Sequence, residues 1–365
     1  MKNLTIGFIG LGLIGGSIAK SLKRVFPDFK IIAYNRSPRA RTMALKDGTA
    51  DIVTESIDET FTPCDYIFLC TPVEHNVMYL NLLKDIIKKE CIITDVGSVK
   101  GNIHDAVRKQ NLSHNFIGGH PMAGSEKTGY ENASSYLLEN AYYAITPAEH
   151  SPAERVSEFT EIVSAIGAIP VILNYEEHDY AVAAISHVPH LIAASLVNLV
   201  QDRDSKNQTM RLLAAGGFKD ITRIASSSPE MWQQICSTNI DNIAELLEYY
   251  IVSLTDIRNS ILSNDFNAIY QLFHSSREYR NSFSDSRTGP IHKSYELYLD
   301  LIDESGAISN VASILADEAI SIKNIGIVHN REFEDGVLKI EFYSQAELDT
   351  ASSLLPRAGY KIYVR

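Results

Sequence analysis

Cysteine is scarce in this chain: four residues among 365, Cys64, Cys70, Cys91 and Cys236, with no CxxC pair and no zinc-ligand spacing. That excludes a disulfide scaffold, and thiols set in or near apolar runs point to a reducing compartment. Positive charge is also in deficit. The 33 Lys and Arg stand against 45 Asp and Glu, a formal net charge of -12, which argues against a non-specific nucleic-acid binder or a binder of anionic membranes. A small-molecule ligand is expected instead. No apolar run comes near the roughly 18 residues of a membrane span, and the N-terminus passes from a single Lys into a Gly-rich pattern with no signal-peptide core. A cytoplasmic location is expected. Apolar residues are not lacking: 45% apolar against 21% charged is an ordinary globular balance, and the length leaves room for two or three domains.

The first half reads as a nucleotide fold. A short apolar run, 4–9, ends in Gly10-Leu11-Gly12-Leu13-Ile14-Gly15, and a helical pattern over 18–25 follows directly. In that order the first glycine permits the tight turn, the second lets backbone approach a pyrophosphate, and the third allows helix to pack on strand. The phosphates would lie at the helix N-terminus. The next strand, 30–34, reaches Asn35-Arg36 where an NAD site usually offers an acid to the ribose. The Asn35 amide is able to hydrogen-bond a ribose hydroxyl, and Arg36 to neutralise a 2′-phosphate, so both NAD and NADP stay open. Arg36 stacked on adenine or facing solvent is the plainer alternative.

Buried-strand runs at 65–70 and 91–95 alternate with helical stretches such as 76–88, which indicates a parallel sheet with ligands beyond the strand C-termini. Thr71, Pro72, Ser98 and Lys100 fall on that edge. The Ser98 hydroxyl is a candidate for the reaction centre and equally a candidate N-cap for a helix over 100–109. The stretch 115–119 then delivers His120, between glycines and Pro121. Flanking Gly and Pro disfavour a helix and imply a loop able to approach a ligand, where an imidazole suits proton transfer near neutrality. Ser125, Glu126 and Lys127 follow within seven residues. A strand over 142–146, a helix over 153–166 and a strand over 169–173 complete a domain of residues 1–173.

From residue 176 the pattern becomes helical, over 177–200, 210–213, 229–259 and 265–283, with apolar residues at three- and four-residue spacing. The segment 240–257 is apolar over more than one face and is read as a dimer core in preference to a helix buried within the chain. Two clusters carry chemistry. His187 and His190 flank Pro189, without a third ligand at zinc-like spacing, so they read as substrate contacts or hydrogen-bonded core residues rather than a metal site. Lys219 and Arg223, four apart after Gly216-Gly217, would hold a carboxylate, or pair with Asp220 or Glu230 at the surface. Ser228-Pro229 reads as an N-cap with proline at N1. These helices form a domain of 174–283. A polar linker, 284–294, precedes a βαββαβ pattern over 295–365, the ferredoxin-like order, with a turn at residues 303–306 before its first helix.

Taken together, GFIGLGLIGGS at 7–17, DVGSVKG at 95–101, GGHPMAGSEKTG at 118–129, SHVPH at 186–190 and GGFKDITRIA at 216–225 resemble the prephenate dehydrogenases of tyrosine biosynthesis over residues 1–283. The tail resembles an ACT regulatory domain. The resemblance implies oxidative decarboxylation of prephenate to 4-hydroxyphenylpyruvate, with hydride passing to NAD, or NADP given Asn35. It implies His120 as the base for the 4-hydroxyl proton, Ser98 sharing that hydrogen bond, and Arg223 on a substrate carboxylate. It places His190 and Lys219 along the substrate site, and Ser125 and Glu126 at its mouth. It also implies a homodimer, and tyrosine as feedback effector. Arogenate dehydrogenase is the near alternative. A β-hydroxyacid dehydrogenase would more typically use a lysine base, and a non-catalytic amino-acid sensor has no need of the intact His120, Ser98 and Arg223 set.

Overall fold

The computed structural model describes residues 3–124, 127–285, 295–302, 304–328 and 336–364 of the chain. Its residues form two compact units, 1–258 and 259–365. In the first, β1 (Thr5–Ile9) ends at Gly10 and leads into α1 (Leu13–Val25). Gly10 sits at φ +100, and a Cβ there would meet the Thr71 methyl at 2.8 Å and Cys70 O at 2.9 Å, so only glycine serves. There follow β2 (Lys30–Tyr34), α2 (Pro38–Lys46), β3 (Ile52–Thr54), β4 (Tyr66–Leu69), α3 (Val73–Leu83), β5 (Ile92–Asp95) and α4 (Gly101–Lys109). The strands form a parallel sheet in the order β3-β2-β1-β4-β5. Both faces are covered, which is why these runs are apolar throughout: Ile6, Phe8 and Phe68 enter one core, and Ile9, Ile67, Leu69 and Ile93 the other. Each such side chain contributes about 2 kcal/mol by burial.

The strands that follow leave this sheet. β6 (Ile117–Pro121), β7 (Tyr142–Pro147) and, after α5 (Ala153–Ala165), β8 (Ile169–Ile172) make a second, mixed sheet, joined to the first by one parallel bridge between Ile93 and Phe116. Among the described residues no crossover α-helix lies between β6 and β7, and β7 returns antiparallel, with His120 opposite Ala144. His120 therefore stands on a strand and not in a loop. Its glycine neighbours serve close packing instead of a turn: a Cβ on Gly119 would lie 2.7 Å from Asp95 O and 2.9 Å from the Tyr143 hydroxyl.

Next come α6 (Tyr175–Val182), a π-turn (Ala183–His187) and α7 (Val188–Arg203). The Val188 N–H reaches back five residues to Ala183 O, and Pro189, which has no N–H and a ring that displaces the preceding turn, accounts for the widening. The continuous run Tyr175–Arg203, with a mean hydropathy of 1.5 in its most apolar window, is long and apolar enough to cross a membrane, contrary to the expectation of no such run. It also carries His178, Asp179, His187 and His190, all hydrogen-bonded within the protein.

α8 (Thr209–Leu213), α9 (Gly216–Thr222), α10 (Pro229–Thr238) and α11 (Ile240–Leu262) follow. Ser228 caps α10, accepting from Met231 N at 3.3 Å with Pro229 at N1, as expected. The helix expected over 229–259 is broken at Asn239, whose side chain is drawn into the α6 backbone. Along α11, Tyr249, Ile251, Val252 and Leu254 are exposed.

In the second unit, α12 (Phe266–Asp285) precedes β9 (Tyr295–Leu301), α13 (Ala307–Asp317), β10 (Ile322–Val328), β11 (Gly336–Phe342), α14 (Gln345–Arg357) and β12 (Ile362–Val364). The strands pair antiparallel in the order β10-β11-β9-β12 over a core of Leu297, Leu299, Val311, Leu315, Leu338, Ile340 and Leu355. Gly306, at φ +93, opens α13. Residues 286–294 of the expected linker and Asp303 of the expected turn lie outside the described residues.

Candidate active site

The groove beyond β1, β2 and β4 is a cavity of about 460 Å³ lined by Gly10, Gly12, Asn35, Arg36, Thr71 and Pro72, among others. The first helical bond of α1 is Gly16 N–H to Gly12 O at 3.0 Å, so the amides of Leu13, Ile14 and Gly15 have no acceptor within the helix and suit a phosphate. A Cβ on Gly15 would meet Gly10 O at 2.5 Å and one on Gly12 would meet nothing within 4 Å, so helix packs on strand at one glycine while the other leaves open space. These features fit a dinucleotide. Asn35, at the end of β2, lines this groove, and one Nδ2–H donates to Leu11 O at 2.9 Å.

A buried network joins the ends of β5 and β6. Asp95 accepts from Gly97 N at 2.9 Å and from Gly119 N at 3.3 Å, and it pairs with the Lys100 ammonium. Lys100 also donates to Gly119 O at 2.7 Å. The Lys100 side chain is fully buried, so it is a structural tie and not, as its position after β5 suggested, a group on the cofactor edge. Burial pulls its pKa down against the opposing pull of Asp95. An ion pair at this depth would cost several kcal/mol to leave half-made.

His120 Nδ1 lies 2.8 Å from His178 Nε2, and His178 Nδ1 lies 2.8 Å from Asp179 Oδ1. Asp179 in turn accepts from Lys100 N at 2.8 Å and Gly101 N at 2.7 Å. The direction of every proton follows from the acid end. A carboxylate only accepts, so His178 carries its proton on Nδ1 and offers its Nε2 lone pair. His120 must then donate from Nδ1, which leaves its Nε2 as the basic nitrogen. Burial first, and then the fields of His178, Lys100 and His187, hold the His120 pKa well below the ordinary imidazole value. The ring is thus neutral near pH 7, the state a base requires.

The same two amides correct the expectation for Ser98. It does not cap α4: Lys100 is the N-cap without a side-chain bond, and Asp179 takes the amides of Lys100 and Gly101. Ser98 instead lines a cavity of about 380 Å³ with Thr71, Pro72, Gln234, Ile235 and Thr238, so α10 faces the β4 and β5 edge.

On α7, His190 donates from Nδ1 to Ser186 O at 2.8 Å and stacks on Trp232 with ring centroids 4.0 Å apart. His187 is buried, with Nδ1 3.2 Å from Asn239 Nδ2, and burial pushes it down to about 4. Asn239 also donates to Asp179 O at 2.8 Å, which ties α6 to the α10–α11 junction. Lys219 is exposed on α9, and Arg223 is exposed in a short turn, Arg223–Ser226, packed against α7. Ser125 and Glu126 lie outside the described residues.

The structure therefore brings His120 together with His178 and Asp179, neither of which the motif reading selected. An adjacent His-Asp pair in the first turns of a helix was the available signal. Asn239 and Trp232 had none, since their roles exist only through residues distant in sequence.

A parallel sheet with a glycine-rich turn, continued by a strand that presents a neutral imidazole and a helical domain behind it, defines the class of two-domain nucleotide-dependent dehydrogenases. Within that class the chain belongs to the prephenate dehydrogenase family. Residues 18–172 match the family's nucleotide-binding domain and residues 174–275 its dimerization domain. The chain is 37% identical over 362 residues to the prephenate dehydrogenase of Bacillus subtilis and 34% identical over 365 residues to that of Lactococcus lactis, with 98% of each chain covered in both cases. A prephenate dehydrogenase crystal structure from A. aeolicus, in complex with hydroxyphenyl propionate and NAD+, superposes with a TM-score of 0.73 at 30% identity over 78% of this chain and 99% of its own. Synechocystis arogenate dehydrogenase gives a TM-score of 0.71 at 27% identity over 77% of this chain and 100% of its own.

Proposed function

We propose that this chain catalyses the NAD-dependent oxidative decarboxylation of prephenate to 4-hydroxyphenylpyruvate and CO2. The observation that carries the reading is the His120–His178–Asp179 relay, which leaves a neutral Nε2 lone pair at the end of β6. NAD supplies the hydride acceptor when bound. Gly10, Gly12, Gly15 and the amides of Leu13 and Ile14 would hold its pyrophosphate, and Thr71 and Pro72 its nicotinamide side.

His120 Nε2 takes the proton of the 4-hydroxyl as the C4 hydrogen leaves with its electron pair. The ring carboxylate departs as CO2, and the electrons of the broken C–C bond complete the aromatic ring. Ser98 shares the hydrogen bond to the 4-oxygen. The imidazolium that forms is held by His178, with Asp179 behind it, so the developing charge is met by groups already in place. Aromatisation drives the step, and the protein's work is to orient the ring and hold a dianion. Arg223 and Lys219 would bind carboxylate, His190 would line the ring, and Ser125 and Glu126 would stand at the mouth.

We assign residues 1–173 to the nucleotide-binding domain, 174–283 to the helical domain, 284–294 to a linker and 295–365 to a regulatory module in a cytoplasmic homodimer. The βαββαβ order and the β10-β11-β9-β12 sheet support a ferredoxin-like, ACT-type reading of that module, with tyrosine as feedback effector. Steady-state turnover with prephenate or arogenate, each with NAD or NADP, tests the activity, and no turnover in any pairing refutes it. Removing residues from about 291 onward should abolish inhibition by tyrosine, and inhibition that persists places the effector elsewhere.

A further inference from the structure

A backbone carbonyl fixes the proton on a second imidazole of the site. Asn239 is buried where α10 meets α11, and its side-chain amide has one orientation open to it. The Asp179 backbone oxygen only accepts, so Nδ2 is the atom that faces it, at 2.8 Å. Oδ1 takes a hydrogen from Asn242 Nδ2 at 2.8 Å. The second Nδ2 hydrogen is left for His187 Nδ1 at 3.2 Å, which must meet it with a lone pair. The single proton of a neutral His187 therefore sits on Nε2. An imidazolium would set N–H against N–H at this contact, so the same arrangement keeps the ring uncharged.

This tautomer is the reverse of its neighbours'. His120 and His190 donate from Nδ1, to His178 Nε2 and to Ser186 O, whereas His187 offers its hydrogen from Nε2. That nitrogen has no partner among the described residues, although the side chain is buried. A second such donor lies beside it: Trp232 Nε1–H is buried without a partner, its ring centroid 6.0 Å from that of His187. Buried donors left open in a folded chain require an acceptor from outside it. His187 also closes the π-turn Ala183–His187, and such widened turns concentrate at functional sites. The ring stands within electrostatic reach of His120, so a cation at His187 would oppose the imidazolium that a base at His120 has to form.

We propose that Asn239 is a positioning residue for the reaction: it holds His187 as a neutral Nε2–H donor to an oxygen of the anionic substrate. A neutral donor steadies that oxygen without setting a second cation beside the base. The substrate half of the proposal rests on the dehydrogenase reading of the site; the tautomer does not.

Long-range 1H–15N NMR of the full chain, labelled at histidine and assigned with His187→Gln, reads the tautomer without substrate or cofactor. Near neutrality His187 should show the neutral Nε2–H form, and prephenate added without NAD should shift its Nε2 signal. A native chain with His187 protonated on Nδ1, or a signal that saturating prephenate leaves in place, overturns the proposal. Asn239→Asp, whose carboxylate accepts and cannot donate, should move the proton to Nδ1 and lower kcat/KM for prephenate by about tenfold or more, with calorimetric NAD+ affinity unchanged. His187→Gln keeps an N–H donor that needs no tautomer, so it should retain most activity and make Asn239→Asp nearly silent. An undiminished loss from Asn239→Asp in that background reduces Asn239 to packing and overturns its positioning role. Should Asn239→Asp fail to fold, the native spectrum and its response to prephenate decide. No turnover of prephenate or arogenate by the native chain removes the dehydrogenase reading and the substrate half with it, whereas a wrong tautomer removes the Asn239 half alone.

Discussion

The surroundings of His120, where the sheet meets α6, and the outer helical segments are built in opposite ways. Asp95, Lys100, His178 and Asp179 are buried and hydrogen-bonded to one another and to the backbone of Lys100, Gly101 and Gly119, so the groups around His120 are immobilised before any ligand arrives. Lys219 and Arg223 stand on exposed segments, and α11 presents Tyr249, Ile251, Val252 and Leu254 to solvent within the single chain. The contrast teaches that the His120 relay is complete within one chain, whereas the apolar faces of α11 are left for a second body to cover. The dimerization-domain match and the exposed faces of α11 together support a homodimer.

The comparison is broken most severely by His120→Asn, which should lower kcat by about 10³-fold while calorimetric cofactor affinity holds, because positioned acid-base catalysis is lost outright. A near-normal kcat would remove His120 from the chemistry. His178→Asn should cost about 10²-fold in kcat, since nothing then enforces the Nδ1–H tautomer of His120. The acid limb of its pH profile should shift as well, and an unmoved limb would reduce His178 to packing. In the wild type that limb should lie below the ordinary imidazole value of about 6.5, as the lowered pKa of His120 requires.

On the helical side, Arg223→Ala should raise KM for prephenate by about tenfold with a smaller change in kcat, the loss of one charge-assisted contact. An unchanged KM refutes that role. Ile251→Glu should convert dimer to monomer in sedimentation at micromolar concentration, because it buries a charge in the α11 face; a persistent dimer would move the interface off that face.

The last effect concerns stability, away from the chemistry. Burial holds His104 at about 4, where it stacks on Tyr175 and bonds Thr146 at 3.1 Å. Its folded pKa lies below its unfolded one, so the unfolded chain takes up the proton first. Stability is then full above about pH 6.5 and falls as pH drops toward 4, by on the order of 3 kcal/mol for this group. Thermal melts of His104→Leu should lose part of that slope between pH 6.5 and 4, and an unaltered slope would refute the assignment.

Much of this protein was legible in its residues. The strand, glycine turn and helix at the N-terminus, the capped start of α10, and the strand and helix order of the last module all follow from local patterning and turn chemistry. The readings that failed are those in which a distant partner overrides a local rule. Ser98 looks like a cap, but Asp179, some eighty residues on, takes the α4 amides. A helix over 229–259 is a sound reading until Asn239 is claimed by the α6 carbonyl of Asp179. Lys100 looks like an edge residue until Asp95 draws it inside.

By itself, then, the sequence determined the strand, glycine turn and helix at the N-terminus and singled out a histidine between glycines and a proline, because those features depend on neighbours a few residues apart. That His120 stands on a strand was decided by its pairing with β7. Only the tertiary structure decided which nitrogen of that histidine is basic. The decision is made by His178, 58 residues away, and by a carboxylate whose own orientation depends on the first amides of α4. A proton's position on a ring is set by the hydrogen-bond partner of the opposite nitrogen, and no local pattern encodes that partner.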